Sequence, residues 1–299
     1  VRRYFKKFII INDKLDSEVI DLVRNLKIDI AVNLTGLTKN SRTSIFINRV
    51  APIQINYCGY PATMGTKSID YIIGGKIIIP EENKKHFSEK VEYLPNCYLL
   101  KPQSVSVKKS KKDYSRKDFN LPDKSIVFCA IHNPVKINPQ CFDLWVDIIK
   151  SVEGSVLWLV TRNEIFKNNL IKEAKKRGLD EKRIIFTTRM KEKEDHLKRL
   201  GLADIFLDTF PYNSHSTMYD YIDAGLPMIS LQGNSFASRV SSSIYSQIKM
   251  DKLIARSKVE YKNIAVDLAN NKLKLNKIKK EIKDKKNSSK LFNKKKFTK

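Results

Sequence analysis

The feature that most constrains this 299-residue chain is a regular alternation, between residues 124 and 271, of short apolar runs with amphipathic segments. Near-continuous apolar runs separated by helical patterns are typical of a parallel sheet with helices on both faces. The pattern predicts a doubly wound α/β lobe, whose ligand crevice lies at the carboxyl ends of its strands. The predicted strands are residues 126–131, 156–160, 183–186, 203–207 and 227–231.

Residues 1–107 repeat the alternation more weakly, with strands predicted at residues 28–33, 52–57 and 70–73 after a helix at residues 15–26. The apolar run 8–11 follows basic residues, but it is too short for the apolar region of a signal peptide. We interpret it as a buried strand. These residues are expected to form a partial N-terminal lobe.

Two lysine-rich segments flank the second lobe, which is predicted at residues 124–271. Residues 108–123 contain Pro122 and are interpreted as an interdomain linker. Residues 272–299 carry thirteen lysines against two acidic residues and are predicted to form a C-terminal helix or tail.

The formal net charge of +25 is compatible with anionic partners, but much of it lies in this tail, so it does not indicate a specific nucleic-acid partner. No apolar stretch is long enough for a membrane span. The four cysteines lack CxxC spacing, which favours buried free thiols in a reducing, cytoplasmic setting over a disulfide framework. The four histidines are too scattered to indicate zinc, and no metal site is expected.

Polar residues follow three predicted strands of the second lobe, where helix N-termini offer N–H groups to phosphates. After the first strand comes Lys136, which is placed to meet a diphosphate. An equally plain interpretation is a solvated lysine beside Asn138 as a helix cap. After another strand, Lys193, His196 and Arg199 share one face of the helix that begins there. Clustered charge of this kind is more often a solvated surface.

The third loop, residues 208–220, is the most informative. His215, Ser216 and Thr217 would place an imidazole and two hydroxyls at a helix N-terminus, with Asp220 able to accept hydrogen bonds from a ribose. The alternative is a capping box that pairs Ser216 or Thr217 with Asp220.

Known nucleophile and phosphate-loop signatures are missing from the sequence: it contains no G-x-S-x-G, Walker loop, G-x-G-x-x-G or H-E-x-x-H pattern. Helix ends with a lysine, without a glycine-rich loop, favour a metal-independent sugar transferase over a kinase or a dehydrogenase.

Ordered motifs along nearly the whole chain are similar to the catalytic region of protein O-GlcNAc transferases. They include residues 32–42, 59–65, 203–209, 224–227 and 237–240. The resemblance implies a GT-B fold with two Rossmann-like lobes, and inverting, metal-independent transfer of GlcNAc from UDP-GlcNAc to protein Ser or Thr hydroxyls. Apart from this donor substrate it implies no cofactor.

The resemblance also implies roles for individual residues. Lys136 matches the lysine that steadies the leaving diphosphate, and Asp220 matches the ribose-binding aspartate. Thr38 and Gly59 fall where the family approaches the sugar. The remaining matches are to the nucleotide and its phosphates: Asn133, the backbone of Met190 and Lys191, the helix residues Lys193, His196 and Arg199, and the phosphate loop His215, Ser216 and Thr217.

Some family features are not matched. Animal members carry a tetratricopeptide-repeat region and an active-site histidine upstream of the matched part, so the first lobe is expected to be incomplete. Leu37 and Val135 differ from the common residues of their motifs. Asp29 is nominated as the general base. Two alternatives stay open: transfer of another UDP-sugar, such as glucose to asparagine, or a catalytically impaired fragment that still binds UDP.

Overall fold

A computed structural model describes residues 2–95, 97–101, 112–289 and 291. The chain divides into two compact units, Val1–Tyr98 and Leu99–Lys299. The predicted boundary between residues 107 and 108 lies outside the described residues and stays a prediction. Residues 112–123, the described part of the predicted linker, belong to the second unit, where Arg116 forms an ion pair of 2.7 Å with Asp204.

The first unit contains the elements α1 (Asp16–Asn25), β1 (Ile30–Asn33), α2 (Thr43–Ile47), β2 (Ile53–Asn56), β3 (Tyr71–Gly74) and β4 (Lys90–Tyr93). Its four parallel strands lie in the sequential order β1-β2-β3-β4. Val19 and Ile20 of α1 and Ile45 of α2 form a small apolar core with Val50, which follows α2, and Ala31 of β1 packs against this core.

One sequence prediction for this unit is wrong, and one strand was not predicted. Residues 8–11 form no strand, and Phe8 and Ile10 are 47% and 53% exposed. An apolar run becomes a strand only where a neighbouring chain pairs with its backbone, and here only Ile11 packs on the apolar core. Strand β4 was not predicted, because its alternating charged residues, Lys90 and Glu92, give it no apolar run.

The second unit holds a six-stranded parallel sheet, whose strands are β5 (Val127–Ala130), β6 (Val156–Val160), β7 (Ile184–Thr187), β8 (Ile205–Leu207), β9 (Met228–Leu231) and β10 (Ile254–Ala255). Their order in the sheet is β10-β9-β8-β5-β6-β7. The chain enters at β5, moves outward to β7, returns to β8 beside β5 and then moves outward in the opposite direction. This reversal makes a topological switch point between β5 and β8.

Helices on this sheet bury the apolar faces that the sequence pattern indicated. Trp145 of α3 and Trp158 of β6 are fully buried. The elements are α3 (Pro139–Ser151), α4 (Glu164–Lys176), α5 (Lys193–Leu200), α6 (Met218–Ala224), α7 (Val240–Gln247), α8 (Lys258–Asn270) and α9 (Lys272–Ser288).

Helix α9 takes up most of the lysine-rich segment and buries Leu275, Ile278 and Ile282. Its Lys286 lies 2.8 Å from Asp223 of α6. Beyond α9 the structure describes only Ser289 and Leu291 of the predicted tail.

All four cysteines are free, and Cys97, Cys129 and Cys141 are buried as predicted, whereas Cys58 is only half-buried. Within the described ranges, no helix has the length and apolar character needed to cross a bilayer.

Candidate functional site

Two adjoining cavities lie at the carboxyl edge of the second sheet, beside the switch point. Their volumes are about 880 and 580 Å³, and Asn133 and Thr217 line both. The larger is also lined by the predicted residues Lys191, Lys193, His196, Arg199 and Asp220, and the smaller by Lys136, His215 and Ser216. The structure therefore brings together the nominated side chains of all three loops.

The loop after β5 turns Lys136 towards the loop after β8. Asn133 begins a short 3₁₀ turn, Pro134–Lys136, and its side chain accepts a hydrogen bond from the Val135 N–H. The Lys136 Nζ donates to the Asn213 carbonyl oxygen at 2.8 Å and lies 4.4 Å from the centre of the Tyr212 ring. Asn138 caps α3 as the alternative interpretation expected, but Lys136 is half-buried beside the smaller cavity rather than fully solvated.

The buried carboxylate of Asp208, which sequence reasoning did not nominate, stabilises the loop after β8 by hydrogen bonds. Asp208 accepts hydrogen bonds from the backbone N–H groups of Thr209 and Ser214 and from the hydroxyls of Ser230 and Ser241. Burial raises the pKa of Asp208, while the serine bonds and the Lys136 charge oppose the shift. The available signal was an acidic residue directly after an apolar strand, where a buried carboxylate needs several donors.

The Asp208 carboxylate also affects the pKa of Lys136. Burial lowers the pKa of the Lys136 amine, and the Asp208 carboxylate opposes that change. A partly desolvated amine exerts a stronger field than a solvated one, because less water screens it. The smaller cavity is thus suited to an anion.

His215 lies beside this amine. Its Nε2 lies 3.1 Å from the Ala237 carbonyl oxygen, which can only accept, so Nε2 carries a proton. Its ring stacks on Tyr212 at 4.5 Å between centroids. Burial, helped by the Lys136 charge, lowers the pKa of His215 to about 4, so the imidazole is neutral and its Nδ1 is an acceptor near pH 7.

The capping box expected as an alternative at α6 does not form. Thr217 is the N-cap residue, and its side chain makes no cap hydrogen bond. Asp220 instead lies 3.0 Å from Lys193 of α5, and Ser216 and Thr217 are exposed at the cavity walls. Burial raises the pKa of Asp220 and Lys193 opposes it. The pair joins the second loop to the third.

The second loop places its predicted residues at different depths. Lys191 and Lys193 are exposed, and His196 is half-buried. Arg199 is only 1% exposed. Lys193, His196 and Arg199 therefore line the same cavity from one helix, as predicted, but Arg199 lies at its buried floor.

Thr38 and Gly59 belong to the first unit and follow the carboxyl ends of β1 and β2. The two loops pack so closely that a Cβ on Gly59 would lie 1.9 Å from the Leu34 carbonyl oxygen. A side chain at position 59 would therefore force these loops apart.

Asp29 precedes β1, at the opposite end of that sheet. It is exposed and lines a separate cavity of about 450 Å³ with Arg24 and Arg49. Reacting groups of open parallel sheets gather at the carboxyl edge, so this position argues against Asp29 as a general base.

Comparison with known proteins identifies the family. The model of glycosyl transferase family 41 matches residues 6–113 and 100–299. The chain belongs to glycosyl transferase family 41. Its similarity to O-GlcNAc transferases, indicated by the motifs of the sequence, is confirmed.

Curated members of family 41 align with most of the chain. A probable UDP-N-acetylglucosamine–peptide N-acetylglucosaminyltransferase of Arabidopsis thaliana, SEC, is 34% identical over 87% of this chain and 27% of its own length. The corresponding enzyme of Caenorhabditis elegans is 26% identical over 81% of this chain and 30% of its own length. The chain thus spans less than a third of these relatives.

A solved O-GlcNAc transferase of Thermobaculum terrenum has the same fold. It superposes with a TM-score of 0.89 and 23% identity, over 99% of this chain and 55% of that one. The predicted GT-B type of fold is confirmed.

Proposed function

We propose that this chain transfers GlcNAc from UDP-GlcNAc to Ser or Thr hydroxyls of a protein acceptor, inverting the anomeric centre without a metal ion. The observation that carries the proposal is the convergence of Lys136, Lys193 and His215, one from each of three loops, on two adjoining cavities. The names of the family 41 relatives support the donor and the peptide acceptor.

In this proposal the nucleoside occupies the larger cavity. Its volume of about 880 Å³ is in the range of small-molecule sites. Asp220 accepts a hydrogen bond from a ribose hydroxyl, and the Lys193 charge, 3.0 Å away, opposes the rise that burial causes in the pKa of that carboxyl. Asn133 lies between the two cavities, where the nucleoside joins the diphosphate.

The diphosphate occupies the smaller cavity. As the acceptor oxygen bonds to the anomeric carbon, the bond from that carbon to the UDP oxygen breaks and negative charge develops on UDP. Lys136 stabilises this charge, and the hydroxyls of Ser216 and Thr217 at the wall of the smaller cavity donate hydrogen bonds to the diphosphate, so that the protein supplies the positive charge itself. The acceptor hydroxyl releases its proton to solvent water, and its oxygen enters from the side opposite to UDP, which inverts the centre.

The test is product analysis. The chain is incubated with a peptide that contains Ser, Thr and Asn and with UDP-GlcNAc or UDP-glucose, with and without EDTA, and the peptide is analysed by mass spectrometry and NMR. The proposal expects a β-linked GlcNAc on a hydroxyl in both the presence and the absence of EDTA. Transfer of glucose alone would support the other-sugar alternative, and UDP binding without any transfer would support the impaired fragment.

A further inference from the structure

Tyr212 is an exposed aromatic residue that contacts two of the residues at the smaller cavity. Its side chain is 41% exposed and lines this cavity together with Lys136 and His215. The Lys136 Nζ lies over the Tyr212 ring, 4.4 Å from its centre. The His215 imidazole stacks on the same ring, with 4.5 Å between the centroids and an angle of 23° between the planes. One ring therefore touches both the amine and the imidazole.

The Tyr212 ring is itself held in place by its neighbours. The Thr209 hydroxyl donates to the Tyr212 carbonyl oxygen at 2.7 Å. The next residue, Asn213, is fully buried, and its side-chain amide donates to the Thr209 carbonyl oxygen at 2.9 Å. His215, on which the ring stacks, lies 3.1 Å from the Ala237 carbonyl oxygen through its Nε2. The ring therefore presents its face to Lys136 from a fixed position.

The Lys136 amine needs more than one contact to be fixed, because it lies at the end of a flexible four-carbon stem. One of its three donors bonds to the Asn213 carbonyl oxygen at 2.8 Å, and a single hydrogen bond leaves the amine able to rotate about it. The electron-rich face of the Tyr212 ring attracts the cation from a second direction. Both partners are neutral groups, so they hold the amine without cancelling its charge.

The aromatic ring of Tyr212 makes these contacts, and its hydroxyl does not. No hydrogen bond joins this hydroxyl to another residue in the described part of the chain. Burial raises the pKa of the Tyr212 phenol, so it carries no charge near pH 7. Phenylalanine at this position should therefore hold the amine as tyrosine does, whereas leucine should not.

We propose that Tyr212 is a positioning residue, whose ring holds the Lys136 ammonium beside the diphosphate, where negative charge develops on UDP. The proposal rests on the proposed function, because it takes the smaller cavity as the diphosphate site. Sequence reasoning did not nominate Tyr212, since an aromatic residue in a polar loop belongs to no phosphate-binding or catalytic pattern.

The first test uses NMR of the unliganded chain labelled with ¹³C-lysine. An aromatic ring shifts upfield the proton signals of groups that lie over its face, so the ε-methylene signal of Lys136 should lie upfield of the other lysine signals. The signal is assigned by its loss in Lys136→Met. We expect Tyr212→Phe to keep the upfield shift and Tyr212→Leu to lose it. A wild-type Lys136 signal without this shift overturns the proposal whether or not the chain binds UDP.

The second test is a double-mutant cycle on kcat. We expect Tyr212→Leu to lower kcat about tenfold, which is part of the loss of about 10²–10³ that follows removal of the amine itself. The conservative variant Tyr212→Phe should stay within about twofold of wild type. In the Lys136→Met background, Tyr212→Leu should lower kcat by a further factor of about two at most, because a ring that acts through the amine has nothing left to hold.

The outcomes separate the positioning role from the proposed function. Equal losses of kcat for Tyr212→Leu in the two backgrounds overturn the positioning role while the proposed function stands, and so does a wild-type kcat in Tyr212→Leu. A wild-type chain that neither binds UDP nor turns over UDP-GlcNAc contradicts the proposed function, and the unliganded spectra still decide whether the ring holds the amine. If Tyr212→Leu does not fold, the spectra of wild type and Tyr212→Phe decide the positioning role.

Discussion

Replacing Lys136 with Met should separate catalysis from folding. The substitution keeps the aliphatic stem and removes the amine that bonds to the Asn213 carbonyl oxygen and lies over the Tyr212 ring. A hydrogen bond from a charged donor contributes about 1.5–3 kcal/mol and a cation–π contact about 0.5–1 kcal/mol. Removal of a partly buried cation offsets part of this loss, so we expect the unfolding free energy to fall by about 1–3 kcal/mol.

The effect on turnover should be much larger. Loss of one group that stabilises developing negative charge lowers kcat by about 10²–10³. Loss of a charged hydrogen-bond donor to the bound diphosphate should weaken UDP binding about 10- to 100-fold. The assay is steady-state UDP release from UDP-GlcNAc, with UDP affinity by calorimetry and a thermal melt of the same sample.

The matched control is Lys167→Met on α4, where the amine lies 3.3 Å from Glu164 on an exposed helix face. It should melt within a few degrees of wild type and retain wild-type kcat, since exposed pairs contribute about 1 kcal/mol or less. If Lys136→Met keeps kcat within about threefold of the control, the amine does not act on the leaving diphosphate and the reasoning fails.

Two further predictions concern other residues of the site. Burial holds the pKa of His132 at about 4, against 6.5 when the ring is exposed. The unfolded chain therefore binds the proton more readily, and the free energy of unfolding falls as the pH drops from about 6.5 to about 4. Between about pH 7.5 and pH 4.5, the free energy of unfolding of His132→Phe should fall by about 2–3 kcal/mol less than that of the wild type. Urea unfolding at the two pH values measures this, and equal losses would contradict it. Asp220→Asn should weaken UDP binding about tenfold but leave the binding of 2′,3′-dideoxy-UDP unchanged; calorimetry that finds both ligands weakened alike would exclude a ribose contact.

Much of the second unit could be predicted from its sequence because its strands are buried on both faces. Residues 156–160 were predicted as a strand with the observed bounds of β6, and the polar residues after β5, β7 and β8 were assigned to one edge. Parallel strands bring their carboxyl ends together, so order along the chain was enough to place these loops near each other.

What the sequence could not predict depends on partners from distant parts of the chain. The run 8–11 is apolar but has no neighbouring strand. In the sequence, Arg199 and Asp208 are two of many charged residues in the segments between predicted strands, and nothing there marks either of them as buried. Only the packed structure shows that Arg199 is buried over Trp158 and that Asp208 is enclosed by four donors.

The most direct test of the central claim follows the histidine ring signals during a UDP titration. His196 lines the larger cavity and His215 the smaller one, whereas His86 is exposed in the first unit and serves as an internal control. If the loops converge on one nucleotide diphosphate, the signals of His196 and His215 will shift along a single binding curve while His86 stays fixed. Shifts with two different affinities, or a shift of only one of the two site histidines, would contradict a shared site.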